Sequence, residues 1–313
     1  VAVSGDWDAV VIGAGVIGLT TAICLQEAGL RVLIRTADRP DRTTSTLASA
    51  LVGPSFAAPG DRTRAWQAET ARRLSPDQPG VSVRRGMMAA RPAGAIPPTA
   101  AELPGFRLCT VDELPAGYGS GFWVEQPVVD MPPYLAYLSD RFRAGGGDLQ
   151  VRPVGSLAEA ARLAPRVANC SGLGAATLAD DPQLTPVRGP KVVVANPGVE
   201  HFFMEAPFAP AWAGFIPHGD RVVLGGTRRE SADTTPDPAE AAEILRRCAL
   251  VEPRLAGAPI LEHRVGLRPG RPEPRLAAER RDGGLVVHNY GHSGSGVMLS
   301  WGCATEAASL LTR

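Results

Sequence analysis

The chain has 313 residues, and its 32 basic and 32 acidic side chains leave a formal net charge of zero. That balance gives no electrostatic footprint for nucleic acid or an anionic membrane, and no apolar run is long enough to span a bilayer. A hydrophobic content of 44% suits a globular chain of two layered units or one two-lobed domain, and 35 glycines with 29 prolines forecast many turns.

Residues 1–8 run directly into a strand and do not read as a signal peptide. The last four residues, Leu310-Leu311-Thr312-Arg313, carry no peroxisomal address. Cys24, Cys109, Cys170, Cys248 and Cys303 are far apart, odd in number and without a Cys-x-x-Cys pair. They read as reduced thiols of a cytoplasmic protein, most of them serving as small hydrophobes.

In chain order, residues 8–12 form a short apolar run, the pattern of a buried parallel strand. It enters Gly13-Ala14-Gly15-Val16-Ile17-Gly18, followed by a helical pattern over residues 19–28 that Gly29 stops. Residues 31–34 make a second strand, completing a β-α-β unit of dinucleotide-binding length. Residues 43–59 are small and polar and read as a functional loop with a short helix. Residues 61–74 are helical, 76–128 suit an irregular antiparallel lobe, and 131–143 are helical. Strands follow at 151–154 and 166–170, the second meeting the turn Ser171-Gly172-Leu173-Gly174. Residues 187–226 alternate as antiparallel strands do, 238–251 form a helix, 263–268 and 284–289 are strands, and 297–311 form the closing helix. The β-α-β material lies at both chain ends and near residue 170, so the domains are expected to be discontinuous.

In the glycine string, Gly13 allows the tight turn, Gly15 lets backbone approach a pyrophosphate, and Gly18 lets the helix pack against the strand. The helix N-terminus offers N–H groups and a positive dipole end to phosphates. The acid usually found roughly 20 residues further on is replaced by Arg35, followed by Thr36. Arg35 has the chemistry to clamp an NADP 2′-phosphate, stack on adenine or contact a phosphate, so this motif does not separate FAD from NADP.

Four further segments are more specific. They are Thr43-Thr44-Ser45 with Ala48-Ser49-Ala50; Asn169-Cys170-Ser171-Gly172; Arg264-Val265-Gly266-Leu267-Arg268-Pro269-Gly270-Arg271-Pro272; and His288-Asn289-Tyr290-Gly291-His292-Ser293-Gly294-Ser295-Gly296 with Ser300-Trp301-Gly302-Cys303-Ala304. Together with the glycine string they closely resemble the D-amino-acid oxidase and D-aspartate oxidase family, from one end of the chain to the other. The resemblance implies an α/β fold: a Rossmann-like FAD-binding domain with a mainly antiparallel substrate domain packed over the flavin. The first is expected from residues 1–54, 129–186 and 267–313, the second from 55–128 and 187–266.

The resemblance also implies roles. FAD is held non-covalently. Besides the string from Gly13 to Gly18, and Arg35 and Thr36, its implied contacts are Thr43, Thr44 and Ser45 at phosphate and ribityl, and Ser49, Ala50 and Leu51 near the ring. Val154 falls on the adenine side, and Ser171 and Gly172 at the second cofactor loop. Ser293, Gly294, Ser295, Gly296, Val297 and Met298 form the stretch that cradles the flavin, where small residues opening a helix present N–H groups. Arg268 matches the substrate-carboxylate clamp, whose planar fork suits a carboxylate. The Gly294 carbonyl would accept the substrate amine. No general base is needed where a neutral amine is correctly aligned for hydride transfer.

One departure stands out. The family places a tyrosine just before Ile-Ile-Pro, and its hydroxyl bonds the substrate carboxylate. Here the segment reads Ala211-Trp212-Ala213-Gly214-Phe215-Ile216-Pro217. Gly214 falls on the tyrosine, or Phe215 with a shift of one, and neither has a hydroxyl. The stretch 205–212 is also short for a long lid. The clamp is then expected to rest on Arg268 alone, with Met204, Trp212 and Phe215 as wall residues. His201, His218, His263, His288 and His292 show no metal-ligand spacing on a shared helical face, so no metal is expected.

The leading expectation is thus an FAD oxidase with an amino-acid substrate and O2 as partners, and a homodimer left open. Kept beside it are an oxidase for a modified or N-substituted amino acid in secondary metabolism, motivated by the missing tyrosine, and an NADP-dependent reductase, motivated by Arg35. A non-catalytic flavoprotein is the last alternative.

Overall fold

The computed structural model describes residues 7–53, 60–91, 96, 98–206, 210–281 and 283–313. The readings placed on residues 1–6, on 54–59 of the small polar loop and on 207–209 of the short lid stretch lie outside these residues.

Ala9–Ile12 is a run of four apolar residues, all buried, which only a strand covered on both faces can accommodate. It pairs in parallel with Val32–Thr36 on one side and Arg166–Asn169 on the other, Val11 facing Ile34 and Ala168. Asp148–Val151 extends the sheet beyond Val32–Thr36, and Gly284–Tyr290 extends it beyond Arg166–Asn169, both in parallel. Arg275–Arg281 closes that edge antiparallel to Gly284–Tyr290, completing six strands. The strand expected at 151–154 sits at 148–151 instead. Pro153 cannot donate to a ladder, and the chain is already extended on leaving Gly147.

Helix Val16–Glu27 ends as the glycine signal predicted. Gly29 takes φ +85°, Leu30 N–H donates to Leu25 O at 3.1 Å and Gly29 N–H to Gln26 O at 2.8 Å, a Schellman closure. This helix packs against Gly296–Thr312, which in turn packs against Asp61–Arg73. The second contact is close because Gly302 has no side chain: a Cβ there would strike the Trp66 backbone. Helix Met131–Ala144 joins the same core, where Trp301 Nε1 donates to Tyr134 Oη at 2.8 Å.

A second sheet has ten strands, eight of them along one path. Its order from one edge is Arg229–Glu230, Thr185–Ala195, Arg221–Thr227, Ala211–His218, Phe202–Glu205, Val81–Ala90, Ser120–Asp130 and Ser49–Leu51, with Ile260–Gly270 paired to Thr185–Ala195 and Arg107–Leu108 to Ser120–Asp130 off that path. Most pairings are antiparallel, as the alternation predicted, but Phe202–Glu205 runs parallel to Val81–Ala90. Helix Pro238–Val251 covers one face through Ala241, Ile244 and Cys248, against Phe203, Ala213, Phe215, Val222 and Leu224. Its Asp237 cap accepts from Ala239 N–H at 2.9 Å, the N-terminal signal the sequence carries. The opposite face carries Met88, Phe122, Phe202 and Ile216.

Two long strands link the sheets. Thr185–Ala195 and Ile260–Gly270 pair antiparallel from Gly270 opposite Thr185 to Ile260 opposite Val194. The domain boundaries expected at 186/187 and 266/267 fall inside them, and Ser49–Leu51 belongs to the ten-stranded sheet. No helix among the described residues is long and apolar enough to cross a membrane. All five cysteines are free, four of them buried.

Candidate active site

A cavity of about 720 Å³ opens where the C-terminal ends of the parallel strands meet the long strand pair. This is the end of an open α/β sheet at which ligands bind, and the volume lies within the range of cofactor pockets, about 300–1,000 Å³.

The glycine turn forms its floor from Ile12 to Ile17. Gly13 holds φ +105°, which side-chain-bearing residues rarely adopt, and a Cβ there would lie 2.5 Å from Cys170 O on the neighbouring strand. Gly18 lies outside the lining and serves packing: a Cβ on it would collide with the Gly13 carbonyl. Gly15 is covered by Ser45, whose Oγ would lie 3.0 Å from an added Cβ. The same oxygen accepts from Val16 N–H at 3.0 Å. A hydroxyl that accepts one bond keeps its own proton to donate, so Ser45 presents a donor at the helix N-terminus.

The other implied cofactor residues divide by segment. Thr36, Thr43, Thr44 and Ser45 line the cavity, as do Val154, Ser171 and Gly172, with Ala14, Val16 and Ile17 of the glycine turn. Ser49, Ala50 and Leu51 lie outside the lining, where Ala48 is the last lining residue of that segment. Ser293, Gly294, Gly296 and Val297 line it, whereas Ser295 and Met298 do not; Met298 packs against the helical core and its Sδ accepts from Gln67 Nε2 at 3.5 Å. Arg35 also lines the cavity, but the residue is 3% exposed and its guanidinium is already engaged. It donates to Arg152 O at 3.0 Å and Pro153 O at 3.3 Å, and stands 3.9 Å from Glu159. It fastens the outer strand. Asp38, exposed at the same rim, places a carboxylate at the nucleotide end of the cavity.

Arg268 and Gly294 come together at the other end. A Cβ on Gly294 would lie 3.6 Å from Arg268 Cδ, so the loop lies along the arginine stem. The loop is stitched down by Ser293 N–H donating to Pro269 O at 2.9 Å and by its hydroxyl bridging the Arg271 backbone at 3.3 Å. Ser293 takes φ +50°, a left-handed conformation that costs a non-glycine residue roughly 1–2 kcal/mol and aims the loop at the cavity. Behind it, Asp181 accepts from Tyr290 Oη at 2.8 Å and Arg271 Nε at 3.0 Å. Arg271 is therefore a brace. Arg268 itself donates to Arg188 O at 3.2 Å and Thr227 O at 3.3 Å, and among the described residues no carboxylate pairs with it. Its guanidinium occupies space that a Cβ on Gly189 would fill. Gly189 was not singled out from the sequence, because its reason is the arginine of another strand.

The expected wall residues sit beside this end, outside the lining. A Cβ on Gly214 would lie 3.1 Å from Met204 Sδ and 3.4 Å from Trp212 Nε1, so these three adjoin. Phe215 points the other way, stacked on Phe203 at 5.7 Å in the core under helix Pro238–Val251. The segment is fixed by Glu205, a buried carboxylate accepting from Arg91 at 2.7 Å, Tyr118 at 2.8 Å and Ala213 N–H at 3.0 Å; these bonds outweigh burial and hold it below the usual range.

Two buried polar atoms in the lining lack partners: Asn289 Oδ1 and His292 Nε2. Buried polar groups are normally bonded, so both fit a polar ligand seated in the cavity. Burial pushes His292 down to about 4, leaving a neutral ring with one donor and one acceptor. Among the described residues, no three His, Cys, Asp or Glu side chains converge to hold a metal.

The model of the family described as "FAD dependent oxidoreductase" matches residues 8–310. The chain belongs to that family. It is 48% identical to a D-amino-acid oxidase of Rubrobacter xylanophilus over 96% of this chain and 95% of that one, and 43% identical to a D-amino-acid oxidase of Streptomyces coelicolor over 97% of each. Human D-aspartate oxidase is 35% identical over 96% of this chain and 94% of its own. Among solved structures, a glycine oxidase from Geobacillus kaustophilus superposes with a TM-score of 0.81 at 19% identity, covering 98% of this chain and 95% of that one. That likeness shows the fold: two sheets around one cleft. Both the glycine turn and the two unpartnered polar atoms suit FAD. Ser45 and the Val16–Glu27 N-terminus would meet its phosphates, and the 291–297 loop its ring.

Proposed function

We propose that this protein is an FAD-dependent oxidase that deaminates D-amino acids, yielding an imino acid and hydrogen peroxide from O2. The observation that carries the reading is Arg268, a guanidinium at the cavity end with no carboxylate partner among the described residues. The D-amino-acid oxidase names of the relatives at 48% and 43% identity support the substrate class. Bound FAD supplies the two-electron acceptor. Arg268 fixes the substrate carboxylate, and the Gly294 carbonyl beside it accepts from the amine, so Cα is oriented by two contacts on one loop. The six-stranded unit holds the nucleotide and the ten-stranded unit closes over the substrate. Arg35 is committed to carbonyls and gives the NADP-reductase alternative no clamp.

Purified protein is expected to be yellow and to release its flavin on denaturation, and D-amino acids to bleach it without oxygen and yield peroxide with oxygen. Flavin that stays oxidised with every D-amino acid would overturn the reading. A second expectation concerns Gly189→Ala. The added methyl overlaps the guanidinium, so Arg268 must shift while the nucleotide end is untouched. KM for a D-amino acid should rise on the order of tenfold, equivalent to ~1.4 kcal/mol, at normal flavin content; an unchanged KM would place the clamp elsewhere.

A further inference from the structure

Strand alternation sends Val187, Gly189 and Lys191 to one face of Thr185–Ala195 and Arg188 to the other, where Arg188 is fully buried against Glu240 at 3.0 Å. Lys191 therefore shares the cavity face with Gly189, over which Arg268 lies. Its ammonium has no hydrogen-bond or ion-pair partner among the described residues, unlike Arg188 on the opposite face. Room for it comes from the adjacent strand: a Cβ on Gly225 would lie 2.7 Å from Nζ. Gly225 pairs with Gly214, and Gly214 with Met204, so a row with two glycines leads from the lysine to the wall residues. Among the described lining residues the only carboxylate is Asp38, next to Thr36 at the nucleotide end.

Two cations thus share one end of the cavity with no carboxylate partner among the described residues. Each is desolvated and each repels the other; burial first, and Arg268 second, push Lys191 down to about 8. A single carboxylate on Arg268 leaves the lysine, half-buried in the cavity wall, unpaired, and a largely desolvated charge without a partner is costly. We propose that Lys191 is a second anion subsite that binds an acidic group on the substrate side chain, so that this enzyme prefers acidic D-amino acids to neutral ones. The proposal rests on the oxidase reading for its substrate and on the geometry of Lys191, Gly225 and Arg268 for its site. A site built to pair a buried polar group discriminates strongly against ligands that lack the partner.

The test compares D-glutamate with D-glutamine and D-aspartate with D-asparagine, pairs equal in size, in the parent and in Lys191→Met. The parent should favour the acid in each pair. The acid-to-amide ratio of kcat/KM should fall by about tenfold to a hundredfold in the variant, the range of a charge-assisted bond. Binding without turnover gives a separate readout. Malonate should perturb the bound flavin spectrum more tightly than propionate in the parent, and that margin should vanish in Lys191→Met. It should also shrink as pH rises past about 8, where Lys191 loses its proton. Of the groups facing Lys191, Arg268 stays charged throughout and Cys248, pushed up by burial to about 11, stays neutral.

An unchanged acid-to-amide ratio in Lys191→Met overturns the proposal. So does an equal slowing of every substrate, which would place the ammonium against the cofactor or oxygen. If no D-amino acid reduces the flavin but the malonate margin is present and depends on Lys191, the oxidase reading falls and the anion subsite stands.

Discussion

Arg268→Ala should lower kcat/KM for a D-amino acid by at least about tenfold to a hundredfold while leaving the flavin content near that of the parent. Charge-assisted bonds contribute roughly 1.5–3 kcal/mol each, and about 1.4 kcal/mol is a decade in rate. The resemblance implies a tyrosine hydroxyl sharing the carboxylate, and neither candidate for that place offers one: Gly214 has no side chain and Phe215 points into the core. Flavin content is insulated because Arg268 lies along Gly294 and over Gly189, whereas the phosphate turn is built from Gly13, Ser45 and the Val16–Glu27 N-terminus. Arg268→Lys should recover little, since a point ammonium cannot reproduce the planar fork. Benzoate titration of the flavin spectrum checks the assignment: the spectral change should be lost in both variants. Full turnover in Arg268→Ala would mean that another group holds the carboxylate.

The two turn glycines should fail in different ways. At Gly18 an added Cβ runs into the Gly13 carbonyl, backbone that cannot step aside without opening the turn. Gly18→Val should cost about 3 kcal/mol or more, the upper range for overpacking, and appear as a lower Tm and poor recovery of folded protein. At Gly15 the first atom met is the Ser45 hydroxyl at 3.0 Å, the end of a short side chain. Gly15→Val should therefore fold, but its branched carbons fill the approach to the phosphates and displace the hydroxyl that caps Val16. Folded, colourless protein is the expected result, read by the flavin absorbance per mole against far-UV circular dichroism. Stoichiometric flavin in Gly15→Val would move the phosphate site.

Much of this architecture was legible because its signals are local. The apolar run before Gly13, the Gly29 stop, and the Asp237-Pro238 helix start each act within a few residues, and those elements appear where expected. Strand Arg275–Arg281 was not foreseen: Arg-Leu-Ala-Ala-Glu-Arg-Arg carries no alternating apolar face, since only Leu276 is buried. Its strand character comes from pairing with Gly284–Tyr290. The parallel Phe202–Glu205 pairing is equally non-local, set by register across the sheet. In the site, motif residues were found by resemblance. Gly189, Lys191 and Asp38 needed the third dimension, because each is defined by what lies across from it: a guanidinium, a missing side chain on Gly225, and the cavity rim.

The polar strand Arg275–Arg281 also bears on how copies of this chain meet. It forms one outer edge of the six-stranded sheet, and an open edge offers unpaired N–H and C=O groups to any extended chain. Here the edge carries Arg280 and Arg281, both exposed, with Glu279 between strand and solvent. A second molecule adding a strand would have to desolvate those guanidinium groups, a cost that backbone pairing at one edge does not offset. The charges act as a guard against sheet-to-sheet polymerisation. Those charges disfavour edge-to-edge pairing through this strand.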